Sequence, residues 1–179
     1  MSSLPPSSPS PVPLRRRAPL WAAVVAVIVA LLGVLVWVSR PQPAPSVELK
    51  TLTGDPRNPA QLRGKVQLVN FWATSCAVCV AEMPEFVRLH ERLAARGLEV
   101  TAVAMRYDRP DYVLAYQERV GLPFPIALDL DGAAARGFGE VRATPTTFVI
   151  DAQGQIVARY QGRPDFDELE RRLVKLLGA

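Results

Sequence analysis

Two kinds of hydrophobic pattern divide this chain of 179 residues. Residues 20–38 form an unbroken apolar run without a charged side chain, whereas residues 46–179 alternate between short apolar runs and runs with helical spacing. A helix over residues 20–38 would be about 28 Å long, close to the roughly 30 Å hydrocarbon core of a bilayer. The pattern therefore predicts one membrane-spanning segment, followed by a single domain that contains both strands and helices.

The second region predicts a regular alternation of strands and helices. The predicted strands are 66–72, 98–105, 125–128, 146–151 and 156–160, and the predicted helices are 77–96, 110–121, 131–138 and 164–177. Pro84 falls inside the first of these helices and predicts a kink there, although the helix could instead begin at Pro84. A βαβαβ order that ends in ββα favours an α/β fold, with a mixed central sheet and helices on both faces.

Positive charge is concentrated on one side of the apolar run. The formal net charge of +4 comes from Arg15, Arg16, Arg17 and Arg40, because residues 46–179 contain equal numbers of basic and acidic side chains. Cytoplasmic flanks of membrane helices are enriched in arginine and lysine, so the N-terminus is expected in the cytoplasm. The charge balance of the domain gives no indication of a nucleic-acid surface, and no nucleic-acid partner is expected.

The expected organisation has four parts. They are a disordered cytoplasmic tail (1–19), a transmembrane signal anchor (20–38), a Pro-rich extended linker (39–45) and a domain outside the cytoplasm (46–179). A cleaved secretory signal is the alternative, but the residues at its exit, Trp37 to Pro41, match a small-residue cleavage site poorly. Both alternatives export the domain. In a bacterium, an uncleaved anchor would hold it at the inner membrane, facing the periplasm.

The candidate chemistry lies in the only two cysteines, Cys76 and Cys79, at the start of the first helix of the domain. Such a pair can close into a disulfide or open to a dithiol, and the helix N-terminus favours a thiolate on the first sulfur. Half of a zinc site has the same spacing. However, the chain has no second cysteine pair, and its only histidine, His90, lies among charged residues and is expected to face solvent. Thiol–disulfide exchange is therefore the favoured chemistry, and copper binding by the two thiols in an assembly factor is an alternative.

Three segments of the sequence form a combined motif. They are Asn70-Phe71-Trp72-Ala73-Thr74-x-Cys76-x-x-Cys79, Glu82-Met83-Pro84, and Ala143-Thr144-Pro145-Thr146-Thr147-Phe148-Val149-Ile150-Asp151. Together they resemble a bacterial family, the membrane-anchored thioredoxin-like disulfide reductases of the TlpA and ResA group, which includes the cytochrome c maturation thioredoxin. The resemblance implies a thioredoxin fold with an N-terminal extension and a βα insertion, for which residues 107–130 are the candidate. It also implies a protein-disulfide reductase.

The resemblance assigns roles to individual residues. Cys76 would be the nucleophile and Cys79 the resolving thiol. Glu82, one helical turn after Cys79, would tune the pair and transfer protons, unless it is a surface acid. Thr144 and Pro145 would form a cis-proline loop whose backbone binds an extended substrate segment, unless the proline is trans.

Trp72 would line the wall beside the cysteines and contact the substrate, or else belong to the core. The sequence departs from the family pattern in two ways. Ser75 replaces the usual tryptophan, and the dipeptide between the cysteines lacks the usual proline.

The resemblance also implies partners. Protein disulfides would be the substrates, with apocytochrome c or copper-site proteins as candidates, and a DsbD- or CcdA-like membrane protein would donate electrons. No cofactor is expected besides the redox-active disulfide of Cys76 and Cys79. A thiol peroxidase is a further alternative. It is disfavoured because that family places threonine and proline where this chain has Ala73 and Val69.

Overall fold

The computed structural model describes residues 20–38 and 41–178. The predicted tail, residues 1–19, and residues 39–40 of the predicted linker lie outside the described residues. The chain divides into two compact units, with the boundary after residue 40. The first unit contains helix α1 (Leu20–Val38), whose bounds match the predicted apolar segment. When only the described residues are considered, no helix is both long and apolar enough to cross a membrane.

The second unit is built on one eight-stranded sheet with the order β1-β8-β7-β4-β5-β6-β2-β3. The strands are β1 (Gln42–Pro43), β2 (Leu49–Thr51), β3 (Pro56–Arg57), β4 (Val66–Trp72), β5 (Leu98–Ala104), β6 (Ile126–Leu128), β7 (Thr146–Ile150) and β8 (Gln155–Gln161). The helices are α2 (Ala77–Leu93), α3 (Pro110–Val120), α4 (Ala133–Gly137) and α5 (Phe166–Leu177). Strands β4, β5 and β6 are parallel, and the other pairings are antiparallel. The predicted mixed sheet is confirmed.

The central strand β4 is buried on both faces and separates two apolar layers. Leu68 and Trp72 lie in the larger layer, together with buried residues of α2, α3 and α5. The alternate residues Val69 and Phe71 lie in the smaller layer, which α4 covers. This division follows from the two-residue period of a strand, and it places helices on both faces as predicted.

The predicted linker is partly wrong. Gln42 and Pro43 pair with β8 as an edge strand, and the Ala44 side chain is buried in the smaller layer. The folded unit therefore begins at Pro41, and not at residue 46. The spacing of the prolines predicted an extended backbone correctly. It could not show that this backbone pairs with a strand more than a hundred residues later, where an edge position tolerates proline.

The segments predicted to be the insertion and the N-terminal extension contact each other. Helix α3 and strand β6 lie between β5 and α4 in the chain, within residues 107–130. Strand β6 pairs in parallel with β5 and antiparallel with β2, which belongs to the extension. The two additions thus widen one edge of the sheet, and they bring α3 close to the end of β4.

His90 is not the solvent-facing residue that the sequence predicts. It is partly buried, and its ring packs edge-on against Phe124 with the ring centroids 5.8 Å apart. Phe124 precedes β6, so the partner of His90 comes from the insertion. Charged neighbours in sequence did not reveal this contact because it depends on a distant segment.

Candidate active site at the start of helix α2

The two cysteines lie where β4 ends and α2 begins. They form a disulfide, and their Cα atoms are 5.2 Å apart. Cys76 is the N-cap of α2, and its Sγ accepts a 3.2 Å hydrogen bond from the backbone N–H of Cys79. Cys76 is partly exposed, whereas Cys79 is completely buried. A thiolate on Cys76 would be stabilised by this N–H group and by the helix dipole, and Cys76 is the sulfur that a substrate can reach.

Helix α2 begins before its proline. It starts at Ala77 and contains Pro84, so the alternative in which the helix starts at Pro84 is wrong. The helix continues to Leu93, and a short 3₁₀ turn then leads to Gly97, which has a left-handed backbone with φ of 104°. The cysteine pair is therefore carried on the first turn of a long helix that packs against the sheet.

The Thr144–Pro145 peptide bond is cis, so the alternative of a trans proline is wrong. These residues directly precede β7, in which Thr146 pairs with Phe71 of β4. Because β4 continues from Phe71 towards Cys76, this register places the Thr144–Pro145 loop next to the segment that carries the cysteines. Thr144 is partly exposed. Substrate binding by Thr144 and Pro145 remains a prediction.

Glu82 is a buried acid, and the alternative of a surface acid is wrong. Its side chain is completely buried, three residues after the buried Cys79 and therefore one helical turn away. Burial away from water raises the pKa of the Glu82 carboxyl from its ordinary value of 4.5 to about 7. A hydrogen bond from Asn70 and the positive charge of Arg163 act in the opposite direction, but they are weaker. A carboxyl with this pKa can exchange protons near neutral pH.

A buried polar chain connects Glu82 to the sheet. The amide Nδ2 of Asn70 donates to Glu82 Oε1 at 3.3 Å and to Thr147 Oγ1 at 3.0 Å. Asn70 lies in β4 and Thr147 in the neighbouring β7, where the two residues are paired. Glu82 Oε2 and Asn70 Oδ1 have no hydrogen-bond partner among the described residues. The carboxyl is therefore held in position, but only one of its two oxygens accepts a hydrogen bond from the protein. The weak stabilisation of the ionised form is consistent with the raised pKa.

Trp72 lies beneath the site and not on its surface. Its side chain is completely buried, and its ring packs against Tyr116 of α3 with the centroids 5.0 Å apart. In this arrangement the indole offers no surface to a substrate, so the alternative role of a core residue fits it better. Trp72 connects the end of β4 to the insertion.

Two residues of the site were missed by sequence reasoning. Asp108 is buried, and its carboxylate accepts hydrogen bonds from the backbone N–H and the hydroxyl of Thr74, both at 2.6 Å. The hydroxyl of the neighbouring Tyr107 lies 3.1 Å from that of Thr144. The insertion therefore contacts both the cysteine loop and the cis-proline loop. The sequence did offer one indication of Asp108, because this residue lies just after a buried parallel strand, where functional polar residues often occur.

The described part of the chain contains no group of three or more histidine, cysteine, aspartate or glutamate side chains that could hold a metal ion. The position of the disulfide at the start of α2 supports thiol–disulfide exchange. The first two turns of α2 carry the three groups in order: the partly exposed sulfur of Cys76, the buried sulfur of Cys79 and the buried carboxyl of Glu82.

Comparison with known proteins places this arrangement in a family. Residues 41–159 match the model of the AhpC/TSA family. The thioredoxin-like protein YneN of Bacillus subtilis is 32% identical over 142 residues, which cover 77% of this chain and 81% of YneN. The thiol-disulfide oxidoreductase ResA of Geobacillus kaustophilus is 29% identical over 168 residues, which cover 89% of this chain and 95% of ResA.

A solved structure shares the fold. The crystal structure of a thioredoxin-family thiol:disulfide interchange protein from Chlorobium tepidum has a TM-score of 0.70 and 32% identity. The match covers 78% of this chain and 99% of that protein. Its fold, the ResA-type relatives and the geometry of the cysteine pair agree with one another. The chain therefore belongs to the AhpC/TSA family, as a ResA-like thiol–disulfide oxidoreductase with a thioredoxin fold.

Proposed function

We propose that the protein reduces disulfides of exported proteins while anchored by residues 20–38 in a bacterial inner membrane, with residues 41–179 in the periplasm. The observation that carries this chemistry is the buried Glu82 one turn from the buried Cys79, where it can exchange a proton with the second thiol. The direction of electron flow, from the protein to the substrate, rests on the resemblance to disulfide reductases. The location rests on the apolar run and on the arginines that precede it.

The reaction proceeds in two exchanges. The Cys76 thiolate attacks one sulfur of the substrate disulfide, a Cys76–substrate disulfide forms, and the substrate S–S bond breaks. The released substrate thiolate takes a proton from solvent. Cys79 then gives its proton to Glu82, and the resulting thiolate attacks the Sγ of Cys76. The Cys76–Cys79 disulfide forms, the bond between Cys76 and the substrate breaks, and the second substrate sulfur leaves as a thiolate that takes a proton from solvent. Two electrons pass from the protein to the substrate.

Glu82 serves the second exchange. Cys79 is completely buried, so its thiol has no direct contact with bulk water to which it could lose a proton. A carboxyl with a pKa near 7 is partly ionised at neutral pH and can accept this proton. Glu82 is therefore the base for the resolving thiol, and Cys76 needs no such base because it is exposed at the helix N-terminus.

The partners follow from this chemistry. We propose apocytochrome c or a copper-site protein as the substrate, since the reductase groups that this chain resembles act on such cysteines. Each turnover leaves the Cys76–Cys79 disulfide, and the periplasm is oxidising. We therefore propose a DsbD- or CcdA-like membrane protein as the electron donor.

The reduction potential of the Cys76–Cys79 couple tests this function. The purified chain is equilibrated with thiol buffers of defined potential, and the fraction oxidised is followed by alkylation and mass spectrometry, with Cys79→Ala as the control that lacks the couple. A value at or below about −230 mV would support a reductase. A value near −120 mV, as in strong oxidants, would reverse the direction and overturn the proposal.

A further inference from the structure

A groove beside the cysteine pair lies between helix α3 and the loop that carries Cys76. It has a volume of about 490 Å³ and is lined by residues that include Thr74, Ser75, Val80, Tyr112, Ala115 and Arg119. Ser75 directly precedes Cys76, and Val80 directly follows Cys79, so the groove lies beside the segment that carries the two cysteines. Its volume lies within the range of about 300–1,000 Å³ that is common for binding clefts.

The walls of the groove are held in place from two sides. Thr74 is fixed by its two hydrogen bonds to Asp108, which precedes α3. On the other side, Tyr116 packs against the buried Trp72, at the end of β4. A groove with positioned walls loses little conformational freedom when a ligand binds, which favours a role in recognition.

The lining is apolar with one positive charge. Val80, Ala115 and the ring of Tyr112 supply apolar surface, and Arg119 is the only charged residue that lines the groove. The Arg119 guanidinium lies over the ring of Tyr116, 5.5 Å from its centroid, and forms no salt bridge with any described residue. The nearby Arg109 is instead paired with Asp111 at 2.7 Å, so its charge is compensated.

We propose that this groove binds the residues that flank the attacked cysteine of a protein substrate, and that it favours an apolar residue together with an acidic one. The inference rests on the proposed function, because the occupant is a substrate of the disulfide exchange. The position next to Cys76 identifies the occupant as a segment of substrate, and the uncompensated Arg119 selects its charge. A Cys76–substrate disulfide would hold that segment at the mouth of the groove.

The charge of Arg119 is expected to change the rate at which an acidic substrate segment associates with the groove. Exposed ion pairs contribute about 0.2–1 kcal/mol, which corresponds to a rate ratio of roughly 1.4- to fivefold. Such a preference is screened by salt, since the Debye length falls to about 3 Å at 1 M ionic strength. The preference for an acidic residue should therefore weaken as salt is raised.

The test uses the full-length chain, purified in mild detergent and reduced beforehand. The probes are short peptides with an internal disulfide that differ only in glutamate or lysine, placed two residues before or two residues after the cysteines. Single-turnover rate constants are measured by acid quenching and mass spectrometry. We expect the glutamate peptide to react about 1.4- to fivefold faster in at least one of the two positions.

Variants separate the groove from the rest of the molecule. Arg119→Glu should reverse the preference, and Arg119→Ala should abolish it. Arg171→Glu, the same charge change on the exposed side of α5, should retain it. Ala115→Trp, which fills the groove without a change in charge, should slow peptides with leucine beside the charged residue more than peptides with glycine there. Circular dichroism confirms that each variant is folded.

The outcomes distinguish the two proposals. Equal rates for glutamate and lysine peptides at both positions, or an unchanged preference in folded Arg119→Ala, would overturn the role of the groove and leave the reductase function intact. Failure of the reduced wild-type chain to reduce any peptide would overturn the proposed function, and the role of the groove with it.

Discussion

Replacement of Glu82 by glutamine should change how the stability of the domain depends on pH. Glutamine has nearly the shape of glutamate and keeps an oxygen for the hydrogen bond from Asn70, but it cannot ionise. In the wild-type protein, burial raises the pKa of the Glu82 carboxyl from 4.5 to about 7. The raised value means that the folded state binds this proton more tightly than the unfolded state does.

The sign and size of the change in the free energy of unfolding follow from this difference in pKa. Below pH 4.5 the carboxyl is protonated in both states, and the stabilising contribution is fully present. As the pH rises from 4.5 through about 7, the unfolded state ionises first, and the contribution is lost. At about 1.36 kcal/mol per pH unit, the loss amounts to about 3 kcal/mol of the free energy of unfolding. Above pH 8 no further change is expected from Glu82.

The assay is urea unfolding of a fragment from Pro41 to Ala179, at a series of pH values from 4 to 8. The disulfide is kept intact, so that neither cysteine titrates. The contributions of all other titratable groups cancel when the free energy of unfolding of the wild type is subtracted from that of Glu82→Gln. This difference should shift by about 3 kcal/mol in favour of the variant as the pH rises. Glu91→Gln is the matched control, because Glu91 is an exposed acid on the same helix.

Parallel pH profiles for wild type and Glu82→Gln would refute the reasoning. They would mean that the carboxyl is solvated in the folded protein, and the proposed proton transfer from Cys79 would then lose its support.

Three further predictions concern other parts of the chain. Cys76→Ser should abolish disulfide exchange, whereas Cys79→Ser should accumulate mixed disulfides with substrates, seen on non-reducing gels; exchange by the Cys76→Ser protein would contradict the nucleophile assignment. Asp108→Ala should lower the free energy of unfolding by about 2–3 kcal/mol, because it removes the two hydrogen bonds that the buried carboxylate accepts from Thr74. Urea unfolding measures this loss, and a loss below about 0.5 kcal/mol would contradict the prediction. A protease added to spheroplasts should digest the residues after 45, and complete protection would argue against the proposed export.

The local sequence was sufficient to predict the helices, the strands and the reactive cysteine pair. The apolar run of β4, the position of Cys76 before a helix and the Gly97 stop are properties of neighbouring residues, and they match the structure closely. The motif around Pro145 likewise indicated a cis bond through its resemblance to a family. Such features are visible in a sequence because backbone geometry and helix capping act over only a few residues.

The tertiary structure decided which of these residues cooperate. Glu82 could have been a surface acid, and only the packing of α2 on β4 buries it and raises its pKa. Asn70 reaches Thr147 because β7 lies beside β4, and Thr74 reaches Asp108 because β5 does. These contacts join segments that lie 34 to 77 residues apart. Periodicity and spacing determine which face of an element is buried, but strand order and register determine what that face meets.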